Sequence, residues 1–167
     1  MTLNAIYTQT WNCAKGLVPL IDRELSAMQL LGHNDVKDVF EHAKTIIEMS
    51  LEGPGGFNGC IRILNALNTC AREFELRAQI SDTVVVQYWL HQAYEFRSRV
   101  EIMGTEILHA VGNVPQFESS LATVRTSCAY LAKQLGKIDD AHRHAQGSLR
   151  LAAPESIVDV VKNVMKT

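Results

Sequence analysis

The chain lacks the excess of basic residues that marks most nucleic-acid-binding surfaces. Its 167 residues contain 16 Lys and Arg against 18 Asp and Glu, which leaves a net charge of −2. Strong affinity for a phosphate backbone requires many phosphates to be neutralised by Lys and Arg side chains. A broad DNA- or RNA-binding surface is therefore not expected.

Long apolar runs and paired cysteines are also missing. No uninterrupted apolar stretch approaches the roughly 20 residues that cross a bilayer, and the first residues do not form a basic segment followed by an apolar one. Four cysteines, Cys13, Cys60, Cys70 and Cys128, stand apart without a C-x-x-C pair. We therefore expect no membrane anchor, and we expect reduced, mostly buried thiols in a cytoplasmic protein.

Proline is scarce, and no Pro- or Ser-rich linker divides the chain. Gly16 with Pro19 is read as the first break, and Gly32 suits the left-handed residue that follows a helix. The positions of glycine and proline predict a single domain over 1–167, because the segments between them have the length of helices. The predicted helices cover residues 17–31, 35–52, 60–79, 82–111, 116–135, 139–150 and 155–166.

The longer segments carry apolar residues that advance alternately by three and four positions. This spacing keeps one stripe of a helix facing its neighbour, whereas a strand requires strict alternation. We predict an all-α, single-domain antiparallel helical bundle of about five to seven helices, with 82–111 as a long central helix. Its stripe comprises Val86, Trp89, Ala93, Phe96, Val100, Met103, Ile107 and Ala110.

A divalent metal is the first chemical possibility, because Glu106 and His109 form a Glu-x-x-His pair on one helical face. His42 or His91 could supply a further ligand. A second Glu-x-x-His pair is absent from the sequence, so the di-metal pattern is incomplete, and no cofactor is the preferred interpretation. His142 and His144 lie two residues apart, on nearly opposite sides of a helix, and are expected to be solvated.

The glycine-rich stretch 53–59 precedes a predicted helix. Free N–H groups at a helix start can bind an anion, so Gly55, Gly56, Asn58 and Arg62 are the candidate anion-binding residues. The stretch has neither a P-loop lysine nor a preceding strand. A simple reversal between two helices, with Phe57 packed on the core, is the favoured alternative.

The last helix is apolar over a wide face, with Ile157, Val158, Val161 and Val164 as candidate interface residues. Such a short helix persists only when it is packed against something. It either completes its own bundle, which we favour, or presents an apolar surface to a second subunit.

The pattern as a whole favours helix surfaces over a catalytic centre. The leading hypothesis is a non-catalytic protein-interaction module, an adaptor, inhibitor or assembly subunit that binds a protein partner or itself as a homo-oligomer. The alternative is a small helical-bundle enzyme that depends on a divalent metal, or a protein that binds a phosphorylated ligand. Fold class alone does not choose between them.

Overall fold

The computed structural model describes residues 2–81, 83–112, 114–151 and 155–166. The side chains of residues 83, 84 and 155–157 lie outside that description. Along the described residues, seven α-helices follow one another. A 3₁₀ turn, Asn34–Val36, precedes the second helix. The helices are α1 (Leu3–Leu30), α2 (Lys37–Ser50), α3 (Gly56–Ile80), α4 (Thr83–Val111), α5 (Pro115–Gln134), α6 (Ile138–Leu149) and α7 (Glu155–Met165).

Helix α1 corrects the prediction of a break at Gly16 and Pro19. The helix begins at Leu3, with the Thr2 hydroxyl accepting a hydrogen bond from the Ala5 amide, and it continues through both residues. Proline removes one helical hydrogen bond, but the buried stripe of α1 runs on both sides of it. Burial of a continuous apolar face therefore outweighs the local cost of Pro19.

Short turns between consecutive helices produce the antiparallel arrangement. Gly32 has a φ of 87° and Gly136 a φ of 78°, a region that non-glycine residues rarely adopt. Beyond Gly32, the His33 amide donates to the Met28 carbonyl at 2.9 Å, which closes the end of α1. The predicted role of Gly32 as the left-handed residue after a helix is confirmed.

Helix α4 occupies the middle of the bundle and packs against α1, α3 and α5. Trp89 is 1 % exposed, and its ring contacts those of Phe40 and Phe74 at centroid distances of 5.5 and 5.8 Å. Buried apolar side chains from all seven α-helices form one hydrophobic cluster. The predicted all-α bundle with a long central helix is confirmed.

The described part of the chain contains no β-strand. Within that same part, no helix combines the length and the apolar character that a bilayer crossing requires.

Candidate functional site

A cavity of about 580 Å³, called here the groove, lies between the C-terminal half of α3, the N-terminal half of α4, α5 and α7. Its inner lining includes the buried side chains of Ala78, Leu90 and Leu131. Tyr130 and Val160 also line it and are 53 % and 42 % exposed. An apolar surface therefore runs from the core of the bundle out to solvent.

One charged side chain, Glu75, occurs among the described residues that line the groove. The Arg97 guanidinium donates to both Glu75 carboxylate oxygens, at 3.0 and 3.3 Å, and to the Asn68 side-chain oxygen at 3.1 Å. This two-point pairing holds the carboxylate in a fixed orientation. Glu75 therefore belongs to a side-chain network and is not a free acid or base in the groove.

The candidate interface residues of α7 are divided between core and surface. Val161 and Val164 are buried against the chain's own bundle, where α7 packs on α5 and α6. Val158 is half-buried, and the Ile157 side chain lies outside the described residues. The burial agrees with the packing of α7 within its own bundle and leaves the use of these residues in an interface as a prediction.

Arg62, the predicted cation of the glycine-rich stretch, binds backbone carbonyl oxygens. Arg62 donates to the carbonyl oxygens of Ser50 at 2.8 Å and Pro54 at 2.9 Å. Gly55, Gly56 and Asn58 stand at the N-terminal end of α3. The geometry favours a connector that joins the end of α2 to α3, and anion binding here remains a prediction.

Phe57, in the same stretch, folds back onto the bundle as expected. Its side chain is half-buried, and its ring lies 5.8 Å from that of Phe117 in an edge-to-face arrangement. The start of α3 is therefore fastened to α5 by an aromatic contact.

Glu106 and His109 are both exposed on α4. Among the described residues, no third Cys, His or carboxylate gathers around this pair. His42 instead lies 3.0 Å from the Glu73 carboxylate, on the surface, and His91 is exposed. The structure therefore does not bring the predicted metal-binding residues together.

A different set of ligand-type side chains meets inside the bundle. Glu101 of α4, Cys128 of α5 and His144 of α6 place one ligand atom each within 4.8 Å of the other two. His144 is 3 % exposed, which corrects the expectation that it is solvated. The three residues are called here the buried cluster.

Polar neighbours orient the members of the buried cluster. His144 Nε2 lies 2.9 Å from the Tyr94 hydroxyl, and His144 Nδ1 lies 2.6 Å from Glu101 Oε2. Arg125 places its Nε 3.8 Å from Glu101 Oε1. Burial by itself would raise the pKa of Glu101, but the contact with His144 and the charge of Arg125 lower it below its usual value.

The spacing of residues within α6 indicates that His144 is buried. Ala141, His144 and Ser148 advance by three and four positions, the same alternation that marks the core stripes. All three are buried. The pairing of His144 with Glu101 is not visible in any local pattern, because the two residues belong to different helices.

Comparison with family models, with curated proteins and with solved structures finds no match for this chain.

Proposed function

We propose that this protein is a non-catalytic protein-interaction module whose groove receives the apolar face of an amphipathic helix from a partner protein. The observation that carries the proposal is the continuity of the apolar lining, from Leu90 and Leu131 in the core to Tyr130 and Val160 at the surface. Contiguous apolar surface that reaches solvent is typical of protein-binding sites. The module would act as an adaptor, an inhibitor or an assembly subunit.

The dimensions of the groove suit a helix. Along α5 it extends from Thr126 to Gln134, which is about 12 Å at the helical rise per residue. Two turns of a partner helix cover that length and present apolar side chains at positions i, i+4 and i+7. A helix lying along the groove would also cover Tyr130 and Val160, which a small molecule held among the inner residues would leave in water.

The lining favours binding over catalysis. Its one carboxylate, Glu75, is held by Arg97. The Thr126 hydroxyl donates to the Ala122 carbonyl at 2.9 Å and lies 2.8 Å from the Ser148 hydroxyl. A hydroxyl becomes a nucleophile when a base stands beside it. Within the described lining, neither the Glu75 carboxylate nor the Thr126 hydroxyl has the arrangement that acid–base or nucleophilic chemistry requires.

The chemistry of the groove also bears on the kind of partner. A surface that is apolar with one negative charge suits a protein helix and not a nucleic-acid backbone. The four cysteines are free, which supports action in the reducing cytoplasm. A second copy of this chain is the competing occupant, and the homo-oligomer would then form through the same groove.

The test is selection of helical peptides of about four turns from a displayed library on the wild-type protein. We expect the selected peptides to carry apolar residues at i, i+4 and i+7. Tyr130→Glu places a charge at the outer lining of the groove and should weaken their binding by at least about tenfold. Peptide affinities measured by fluorescence anisotropy provide the readout.

Ile102→Glu is the matched control, because Ile102 is 62 % exposed on α4 and does not line the groove. It should bind the selected peptides as the wild type does. Failure to select peptides, or equal affinity for the wild type and Tyr130→Glu, contradicts the proposal. A dimer that light scattering detects in the wild type and not in Tyr130→Glu would assign the groove to a second copy instead.

A further inference from the structure

The contact between His144 and Glu101 is short but does not have the direction of a hydrogen bond. His144 Nδ1 and Glu101 Oε2 lie 2.6 Å apart, and both atoms are screened from solvent. Neither atom has a hydrogen-bond partner within the described part of the chain. Since the distance is short enough for a hydrogen bond, the alignment of the atoms is what fails.

The other ring nitrogen of His144 lies beside the Tyr94 hydroxyl, and either group can be the donor of that hydrogen bond. When Nε2–H donates to the Tyr94 hydroxyl oxygen, 2.9 Å away, Nδ1 presents a lone pair to the Glu101 carboxylate. In that tautomer the two electron-rich atoms, 2.6 Å apart, need a positive charge between them. A shared proton requires a nearly linear arrangement, whereas a metal ion accepts lone pairs that converge on it at an angle.

A third side chain of the appropriate chemistry lies beside these two atoms. Cys128 Sγ lies within 4.8 Å of the ligand atoms of both other residues. From Glu101, Cys128 and His144 together, we infer that the buried cluster is a zinc site. Sulfur, imidazole nitrogen and carboxylate oxygen are the donors that Zn²⁺ takes in tetrahedral sites.

The distances and charges in the buried cluster fit this ion. At zinc–ligand distances of about 2.0–2.2 Å, two tetrahedral N and O ligands lie about 3.3 Å apart, so binding moves Nδ1 and Oε2 apart by under about 1 Å. Zinc with one carboxylate and one thiolate is neutral. The Arg125 guanidinium, which lies beside Glu101, donates to the Gly147 carbonyl at 2.9 Å and to the Thr105 hydroxyl at 3.0 Å.

Cys128 would enter the site as the thiolate. Zinc displaces the thiol proton and takes the thiolate as a ligand. The Ser98 hydroxyl, screened from solvent and next to the Cys128 thiol, is the oxygen that we expect as a fourth ligand.

The burial of the ligands makes the site structural. Cys128 is 0 % and His144 3 % exposed, so substrate has no access to the ion. One ligand from each of α4, α5 and α6 would tie the second half of the bundle together. Tyr94 acts as a positioning residue, because it orients the His144 ring through Nε2.

The test begins with refolding of the full chain in a chelator and then with equimolar Zn²⁺ or Co²⁺. We expect equimolar zinc in the refolded protein by elemental analysis and a higher melting temperature than in chelator. The cobalt form should show a thiolate-to-metal charge-transfer band. Cys128→Ser should abolish that band, whereas Cys70→Ser, at an equally buried cysteine of α3, should keep it.

Tyr94→Phe removes the partner of Nε2 and should weaken zinc binding by about 10–100-fold without removing the charge-transfer band. If Cys128→Ser does not refold, X-ray absorption of the wild-type zinc form decides, with one sulfur ligand expected. Less than equimolar metal, or bound cobalt without a thiolate band, overturns the site. Metal held by exposed histidines would give bound cobalt without a thiolate band.

Discussion

The ring of Tyr7 leaves no room for a side chain at two positions of the glycine-rich stretch, Gly55 and Gly59. A Cβ on Gly55 would lie 2.8 Å from the Tyr7 ring, and a Cβ on Gly59 would lie 2.6 Å from the ring and 2.7 Å from the Pro54 carbonyl oxygen. These separations are shorter than any carbon contact that a packed interior tolerates. The ring of Tyr7, from α1, therefore packs against the start of α3, with Arg62 on the neighbouring carbonyls.

Gly59→Ala and Gly16→Ala should change stability in opposite directions. At Gly59 the new methyl group meets a ring and a backbone oxygen, so the free energy of unfolding should fall by about 1–3 kcal/mol. Gly16 lies inside α1, is exposed and has nothing within 4 Å of its Cβ position. There the alanine should add about 0.5–1 kcal/mol, because it restricts the unfolded chain.

Urea denaturation of both variants beside the wild type provides the measurement. A Gly59→Ala protein as stable as the wild type would mean that Tyr7 does not occupy the position described for it.

At the scale of the helix, local signals and tertiary packing disagree most clearly in α1. Gly16 and Pro19 are helix breakers by propensity, and a break between them is the natural prediction. The buried residues Ala14, Leu17 and Ile21 continue the apolar stripe across that point. Packing of this stripe against α2, α3 and α4 keeps the helix intact.

Pro19→Ala should therefore stabilise the protein. An interior proline costs about 3 kcal/mol in helix formation, and about 1 kcal/mol of that is offset because proline restricts the unfolded chain. The net gain should be roughly 2 kcal/mol, measured as a shift in the urea midpoint at unchanged slope.

Pro115→Ala is the control for Pro19→Ala. Pro115 is the first residue of α5, where a proline loses no helical hydrogen bond. Its replacement should leave stability unchanged or slightly lower it. An equal gain at both prolines would show that the effect does not come from the interior of α1.

The features that the sequence predicts are local, and those that it does not predict arise from tertiary packing. Helices α3, α4 and α5 were predictable because their apolar spacing repeats over many turns. The ends of the predicted segments for α2 to α7 differ from the structure by a few residues, where caps decide them. The first predicted segment begins at residue 17, so residues 3–16 of α1 were missed. The buried cluster was not predictable, because Glu101, Cys128 and His144 meet only after three separate helices pack.

At the scale of the whole molecule, one hydrophobic cluster joins all seven α-helices. A shared cluster of this kind favours a single domain that unfolds cooperatively. Cys60 and Cys70 lie in α3, and Cys128 lies in α5, all buried. Burial and the nearby Glu73 carboxylate raise the pKa of the Cys70 thiol to about 12. Thiols in these positions react with a modifying reagent only when their surroundings open.

A single cooperative domain predicts that Cys60, Cys70 and Cys128 become reactive through the same opening. Peptide mass spectrometry measures the labelling rate of each cysteine at increasing urea, and these rates give the free energy of opening at each site. We expect the three opening free energies to equal the global free energy of unfolding. Half-buried Cys13 should react first and serves as the internal reference. A chelator in every sample keeps metal from protecting Cys128. A lower value for Cys128 alone would mean that the segment containing α5 opens on its own, so that the bundle consists of two cooperative units.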